Sequence, residues 1–263
     1  MIPKISVAII AFNAEKYLLQ VLTSAEKIAE EIVVVIDDKT TDKTEQIAKK
    51  FKARIYLKKW LGYAKQKNFA LINAKNNWVL SIDSDEVIDE KLLKNIRQAD
   101  FSKFEGFYLS RKNFFGNKWV KHCGWYPDYQ LRLFKKNKML FEEKDVHEKV
   151  KSSGKIGYLE GDILHFTYTS GKDYFEKISE YTALDAKILY NKKRKWSVFY
   201  QLFKPLKEFW QMYVIEKGYL DGMLGLKICL YSAYYKYLVA KKLRAYLKTV
   251  SRSESEIISS EKC

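Results

Sequence analysis

Proline and cysteine are both scarce in this chain, with 3 of each among 263 residues. So few prolines, beside 47% hydrophobic residues, exclude a disordered chain, which could not bury enough apolar surface to fold. The cysteines, Cys123, Cys229 and Cys263, are odd in number, far apart and without a Cys-x-x-Cys pair. That argues against a zinc site and for a reducing compartment. Long apolar runs are missing too. Asp221, Lys227 and Lys236 interrupt the best window before it reaches about eighteen residues, so no membrane-spanning helix is expected. The first residues run straight into Ile5-Ser6-Val7-Ala8-Ile9-Ile10 with no charged leader and no small-residue cleavage site. No signal peptide is therefore expected, and the cytosol is the expected compartment.

Negative charge is also in short supply. The formal charge is +16 and the pI about 9.4, which implies an anionic partner: nucleic acid, phospholipid or a phosphorylated substrate. Between Lys187 and Arg252 stand 15 Lys and Arg against 3 Asp and Glu, so three quarters of the excess lies in the tail.

Along the chain, Ile5 to Phe12 reads as an apolar strand and Lys16 to Ala29 as a helix, with Leu18, Leu19, Leu22, Ala25 and Ile28 at helical spacing. Ile32 to Ile36 is a second strand, ending in Asp37-Asp38. Asp42 with Glu45 has the form of a capping box opening a helix to about Lys52. Arg54 to Leu57 is a third strand, Gly62 breaks the chain, Tyr63 to Ala74 is helical, and Trp78 to Ile82 is a fourth strand. Strand and helix alternating four times within about 85 residues predict a doubly wound, mostly parallel sheet. The stretch from Phe107 to Tyr168 is aromatic and loop-rich, with short apolar runs at Gly106–Leu109, Gln130–Phe134 and Ile163–Phe166. From Lys172 the pattern is helical, with Gly218, Gly222 and Gly225 read as breaks. Three regions are expected: 1–110, 111–186 and a basic amphipathic tail at 187–263. Aromatic, basic helices of this kind lie in the headgroup layer of an anionic bilayer, while a helical cap is the plainer reading.

The fourth strand ends in Asp83-Ser84-Asp85-Glu86. Asp83 and Asp85, two positions apart, lean the same way in extended geometry. Two hard oxygen ligands at a strand's carboxyl end suit Mg²⁺ or Mn²⁺, with substrate phosphates completing the shell. A solvated acidic turn is the plain alternative for an isolated Asp-x-Asp. The carboxyl edge of the sheet would also collect Asn13, Asp37 and Asp38, and so many acids repel one another unless a cation or a donor-rich ligand sits among them. His122, His147 and His165 are each as compatible with a structural role as with a functional one. His147, flanked by Asp145 and Glu148, offers imidazole and carboxylate together to a metal or phosphate.

Taken in order, Ile32–Asp37 with Thr41-Asp42-Lys43-Thr44, Gln66-Lys67-Asn68-Phe69-Ala70, Asp83-Ser84-Asp85-Glu86, Gly124 to Phe134, Val146-His147-Glu148 and Leu164-His165-Phe166 resemble the family 2 glycosyltransferases of GT-A fold. The set extends from about Ile5 to about Tyr237. It looks most like the bacterial lipopolysaccharide core enzymes that add a β-linked glucose to inner-core heptose. The resemblance implies that Asp37 and Asp83 hold the uracil and ribose of a UDP-sugar, with Asn13, Glu15 and Lys67 among the nucleotide-sugar contacts. It implies a divalent metal, Mg²⁺ or Mn²⁺, on Asp85 with Asp83, and His147 as a further metal or phosphate contact. For an inverting transfer it implies a carboxylate base, Asp128 first and Glu148 second. Two departures lie near the nucleotide: Asp38-Lys39-Thr40 replaces the usual Ser-Gly-Ser, and Phe12 replaces a polar or basic residue.

The expected function is thus metal-dependent, inverting transfer of a hexose to a lipopolysaccharide inner-core or related glycolipid, at the inner face of the cytoplasmic membrane. A polyprenyl-phosphate glycosyltransferase would share the first half but not the Trp125-Tyr126-Pro127-Asp128 segment. A nucleic-acid-binding protein would explain only the positive charge, and no recognisable RNA or DNA module is present.

Overall fold

The computed structural model describes residues 2–142, 154–168 and 171–260. It divides into two compact units, Met1–Phe114 with Tyr126–Thr167, and Phe115–Trp125 with Tyr168–Cys263.

The first unit opens with β1 (Ile5–Ala11), α1 (Glu15–Ala25), β2 (Glu31–Asp37), α2 (Thr44–Lys50), β3 (Arg54–Lys58), α3 (Tyr63–Asn73) and β4 (Trp78–Asp83). It continues through β5 (Glu86–Ile88), α4 (Glu90–Gln98), β6 (Gly106–Phe115), β8 (Asp128–Lys135) and β9 (Ile156–Tyr168); the two-residue β7 (Lys118–Trp119) falls in the second unit. Eight strands run in the order β3-β2-β1-β4-β8-β6-β9-β5. The pairs β3–β2, β2–β1 and β1–β4 are parallel, while β4–β8, β8–β6 and β5–β9 are antiparallel.

Alternation explains how the parallel half is covered on both faces. Val7, Ile9, Val34, Ile36, Leu80 and Ile82 share one core with Leu18 and Leu22 of α1, Ala48 of α2 and Leu92, Leu93 and Ile96 of α4. The residues between them, Ala8, Ile10, Val33, Val35 and Val79, pack against Ala64, Ala70 and Leu71 of α3. Strands apolar on both sides with helices on both faces make the doubly wound arrangement that the sequence pattern predicts. An α/β fold with a parallel, doubly wound half to its sheet and C-terminal helices is the one observed.

Two local expectations need correction. Asp42 does not cap α2 through a box with Glu45: Lys43 is the N-cap residue and makes no side-chain cap. Asp42 instead accepts from the Thr44 N–H at 3.0 Å and the Glu15 N–H at 2.9 Å, fastening two loops together. Gly225 is not a break. It lies within α7 (Gly222–Ser260), where a Cβ would stand 1.9 Å from the Gly218 carbonyl oxygen, so glycine serves close approach.

The second unit contains α5 (Gly171–Asn191), α6 (Val198–Trp210), a π-helical turn at Gln211–Ile215, a 3₁₀ turn at Gly218–Asp221 and α7. Cys123 and Cys229 are buried free thiols, packed with Val120, Met212 and Ile228. Among the described residues no helix is long and apolar enough to cross a membrane.

Candidate active site

The loops after β1 and β2 are stitched to each other by backbone-to-side-chain hydrogen bonds. Asn13 adopts φ +44°, a conformation that asparagine tolerates, and its Oδ1 accepts from the Thr41 N–H at 2.9 Å. Glu15 Oε2 accepts from the Lys43 N–H at 3.1 Å, and the Ala14 N–H donates to Thr44 Oγ1 at 2.7 Å. Asp37, buried at the end of β2, accepts from the Lys39 N–H at 2.9 Å and so shapes the Asp38-Lys39-Thr40 turn. The structure therefore brings Asn13, Glu15 and Asp37 to one loop cluster at the carboxyl end of the parallel strands.

Next to it, at the exit of β4, lies a charge network that crosses into the antiparallel half. Asp83 Oδ1 meets Lys67 Nζ at 2.9 Å, and Asp83 Oδ2 accepts from Arg132 at 2.8 Å. The Asp83 N–H donates to Glu86 Oε2 at 2.9 Å. Glu86 is fully buried, and its Oε1 takes Arg132 at 2.7 Å and Arg111 at 3.3 Å. Arg111 in turn clamps Asp128 Oδ2 through Nε at 2.8 Å and a terminal nitrogen at 2.5 Å, and Gln130 donates to Asp128 Oδ1 at 2.7 Å.

The register explains why these groups meet. Arg111 on β6 lies opposite Asp128 on β8, and Glu86 on β5 opposite His165 on β9. Period two puts Asp128, Gln130 and Arg132 on one face of β8, and Arg111 with Asn113 on one face of β6. The mutual repulsion expected of the acids is thus answered by Lys67, Arg111 and Arg132 of the chain itself.

These contacts fix the protonation states. Burial alone would raise the Asp83 carboxyl, but the Lys67 ammonium and the Arg132 guanidinium hold it well below the usual carboxylate range. Glu86 is likewise held down against its burial, chiefly by Arg132. For Asp128, burial is overcome by Arg111 and the hydrogen bond from Gln130, so the carboxylate stays ionised. Burial pushes the His165 imidazole down to about 4, so it is neutral at pH 7. Asn113 donates its Nδ2 to Asp128 Oδ2 at 3.4 Å, which turns its Oδ1 towards His165 Nδ1 at 2.7 Å. Thr167 Oγ1 stands 3.1 Å from the same Nδ1, and the other ring nitrogen, Nε2, lies 3.8 Å from Asp85 Oδ2.

Of the residues singled out from the sequence, Lys67, Asp83 and Asp128 meet in this network, and Asp85 borders it through His165. Both oxygens of Asp83 are engaged by cations of the chain, so the carboxylate that suits a divalent ion is that of Asp85, about a third exposed. Among the described residues no cluster of three metal-ligating side chains occurs. One partly exposed carboxylate with an imidazole nitrogen 3.8 Å away still fits Mg²⁺ or Mn²⁺, which take most of their shell from water and substrate phosphates. His147 and Glu148 lie outside the described residues. Glu86, Arg111, Asn113, Arg132 and His165 received no role from sequence reasoning. The Gln130-Leu131-Arg132 alternation within an apolar run was the available signal for Arg132.

Residues 6–156 match Glycosyl transferase family 2. An uncharacterized glycosyltransferase of Rickettsia typhi is 29% identical over 261 residues, covering 92% of this chain and 87% of that protein. The lipopolysaccharide core biosynthesis glycosyltransferase LpsC of Rhizobium meliloti is 27% identical over 259 residues, covering 92% of this chain and 93% of LpsC. Among solved structures, S. aureus TarS in complex with UDP is similar at a TM-score of 0.49 and 19% identity, over 94% of this chain and 92% of that one. The family match covers more than half of the chain, and the protein is therefore a member of glycosyl transferase family 2, an enzyme that transfers a sugar.

Proposed function

We propose that this enzyme moves a hexose, glucose first among candidates, from a UDP-sugar to a lipopolysaccharide inner-core or related glycolipid, with inversion at the anomeric carbon. The observation that carries the reading is Asp128: an ionised, half-buried carboxylate tied through Arg111 and Glu86 to the acids at the exit of β4. LpsC, similar over nearly the whole of both chains, is named for lipopolysaccharide core biosynthesis, which supports the acceptor class.

In the step proposed, an acceptor hydroxyl attacks the anomeric carbon from the face opposite the diphosphate. The new carbon–oxygen bond forms as the bond to the diphosphate oxygen breaks, and the hydroxyl proton passes to Asp128. Because Arg111 keeps Asp128 a weak base, proton transfer belongs late in the step, when bond formation has made the hydroxyl acidic. Asn13, Glu15 and Asp37 shape the nucleoside end, and Lys67 fixes Asp83 between that end and the network. Asp85 and the Nε2 of His165 would hold Mg²⁺ or Mn²⁺, which when bound neutralises charge on the leaving diphosphate.

The positive tail agrees with an acceptor anchored in an anionic membrane, and the inner face of the cytoplasmic membrane is the proposed place of work. The test is a panel of UDP-hexoses assayed for UDP release with truncated lipopolysaccharide cores as acceptors and Mn²⁺ present. Transfer from one donor, with an inverted linkage in the product, is expected. A full panel giving neither UDP release nor UDP binding would overturn the reading.

A further inference from the structure

The second unit presents a feature that the transfer reaction does not use. α6 carries Val198, Phe199, Leu202, Phe203, Leu206 and Trp210 exposed to solvent, and none of its residues is buried. Phe199 is 66% and Trp210 60% exposed. The positions fall on two adjacent i, i+4 rows, 198-202-206-210 and 199-203, and so form one continuous apolar face. Tyr200 and Phe209 pack into the unit's own clusters. α6 is thus apolar towards the protein and apolar towards solvent as well.

A basic cleft adjoins the start of that helix. An open cavity of about 680 Å³ is lined by Tyr190, Lys193, Arg194, Lys195, Trp196 and Leu247, with no carboxylate among its lining residues. Its shape follows from how α5 stops. Lys193 takes φ +55°, with its N–H on the Tyr190 carbonyl at 2.8 Å and the Arg194 N–H on the Leu189 carbonyl at 3.0 Å. That left-handed stop ends α5 and leaves four consecutive basic residues, Lys192 to Lys195, in the turn before Ser197 caps α6. Aromatic rings steady the cations: Arg194 stands 5.0 Å from the Tyr200 ring centroid and Arg244 4.4 Å from that of Trp196. A guanidinium held beside an aromatic wall, with no carboxylate among the described residues that line the cavity, is suited to a phosphate oxygen.

We infer that this cleft binds the headgroup phosphate of an anionic phospholipid while the outer face of α6 lies among the acyl chains of the same leaflet. The two features are complementary to the two parts of one lipid, and they are contiguous, since Trp196 of the cleft precedes the cap of α6 by one residue. The inference deepens the membrane-surface part of the proposed function by naming the contact and its ligand. It depends neither on the donor sugar nor on the acceptor.

The test uses the full chain and vesicles of phosphatidylcholine, alone or with phosphatidylglycerol, read by sedimentation, with UDP binding measured on the same samples. Wild type is expected to partition onto the anionic vesicles and to be released by salt. Arg194→Glu with Lys195→Glu should weaken that partition at least twentyfold, roughly fivefold being expected per basic residue lost at the surface. Leu202→Ser with Leu206→Ser should weaken it even at low salt. Both variants should melt as wild type does and bind UDP equally. Equal partition of wild type and the Arg194/Lys195 variant would overturn the cleft. Protection from sedimentation by millimolar inorganic phosphate would show a site for soluble phosphate instead, and binding to neutral vesicles as strong as to anionic ones would remove the headgroup. Loss of UDP binding in all samples, with lipid binding intact, would count against the proposed transfer reaction and not against this surface.

Discussion

Within the sheet of the first unit, β1, β2 and β4 are buried almost from end to end and keep their charged residues at their ends and in the loops that follow. β6, β8 and β9 instead carry Arg111, Asn113, Arg132 and His165 within their length and Asp128 at the start of β8, with Arg111 opposite Asp128 and Glu86 opposite His165 across antiparallel pairs. The parallel half holds its functional loops with hydrogen bonds from backbone N–H groups to side-chain oxygens at the surface. The antiparallel half holds its residues with buried ion pairs. Such pairs add little net stability over an apolar core, yet removing one partner strands the other in a low dielectric. The antiparallel half should therefore respond to mutation far more strongly than the parallel rim.

The largest effect is expected at the reacting carboxylate. Asp128→Asn keeps one acceptor oxygen for Arg111, gives up the one to which Gln130 donates, and removes the proton acceptor. Transfer should fall by about 10²–10⁴ while UDP affinity stays within a factor of about two. Steady-state rates beside calorimetric titration of UDP decide this, and near-normal turnover would move the base to another residue, with Glu148→Gln as the next variant.

The same comparison explains what could be read from the sequence. Continuous β-branched runs such as Ile32–Ile36 announce strands buried on both faces, and the helices between them follow from spacing, so the doubly wound half was legible. Asp37, Asp83 and Asp85 were legible as well, because acids at the ends of apolar strands stand out. What was hidden depends on pairing across the sheet. Arg111 and Asp128 are 17 positions apart, and Glu86 and Arg132 are 46 apart, so only the register makes them neighbours. Asp42 illustrates a local failure: its spacing to Glu45 fits a capping box, but the Glu15 N–H, 27 positions earlier, competes for the same carboxylate.

Next in size is the loss of the cation shared by two buried acids. Arg132→Met fills a similar volume but leaves Asp83 with Lys67 alone and Glu86 with the longer Arg111 contact. Unfolding in urea should show a loss of about 3–5 kcal/mol. Adding Glu86→Gln should restore part of it by removing a stranded charge. If the double variant is as weak as the sum of the singles, the acids are not coupled through Arg132.

A third variant sharpens the role of Arg111. Its guanidinium holds Asp128 below the usual carboxylate range against the opposing effect of burial. A base with a depressed pKa is ionised above that pKa and is lost only as pH falls through it. The acid limb of kcat/KM in wild type should therefore lie below pH about 3.9, the ordinary aspartate value. Arg111→Met lets burial prevail, so the limb should move to higher pH. The stability that the depressed carboxyl contributes above its unfolded pKa should be lost at neutral pH, while the difference from wild type closes as pH falls and the carboxyl is protonated in both states. An unshifted limb would mean that another group sets it.

The smallest effect belongs to the parallel rim. Asp42 accepts from the Glu15 N–H, the Thr44 N–H and the Thr44 hydroxyl, and Thr44 Oγ1 then accepts from the Ala14 N–H. Asp42→Ala removes the centre of that fastening. The loops are partly open, however, so water can replace much of what is lost, and the expected cost is about 1 kcal/mol, as for loss of a helix cap. Because Asn13 and Glu15 are positioned by the same loop, UDP should also bind a few-fold more weakly, whereas Asp42→Asn, which keeps an acceptor oxygen, should recover most of both losses. A loss of stability as large as that of Arg132→Met would erase the contrast, showing that the hydrogen-bonded rim and the ion-paired strands carry equal weight in this enzyme.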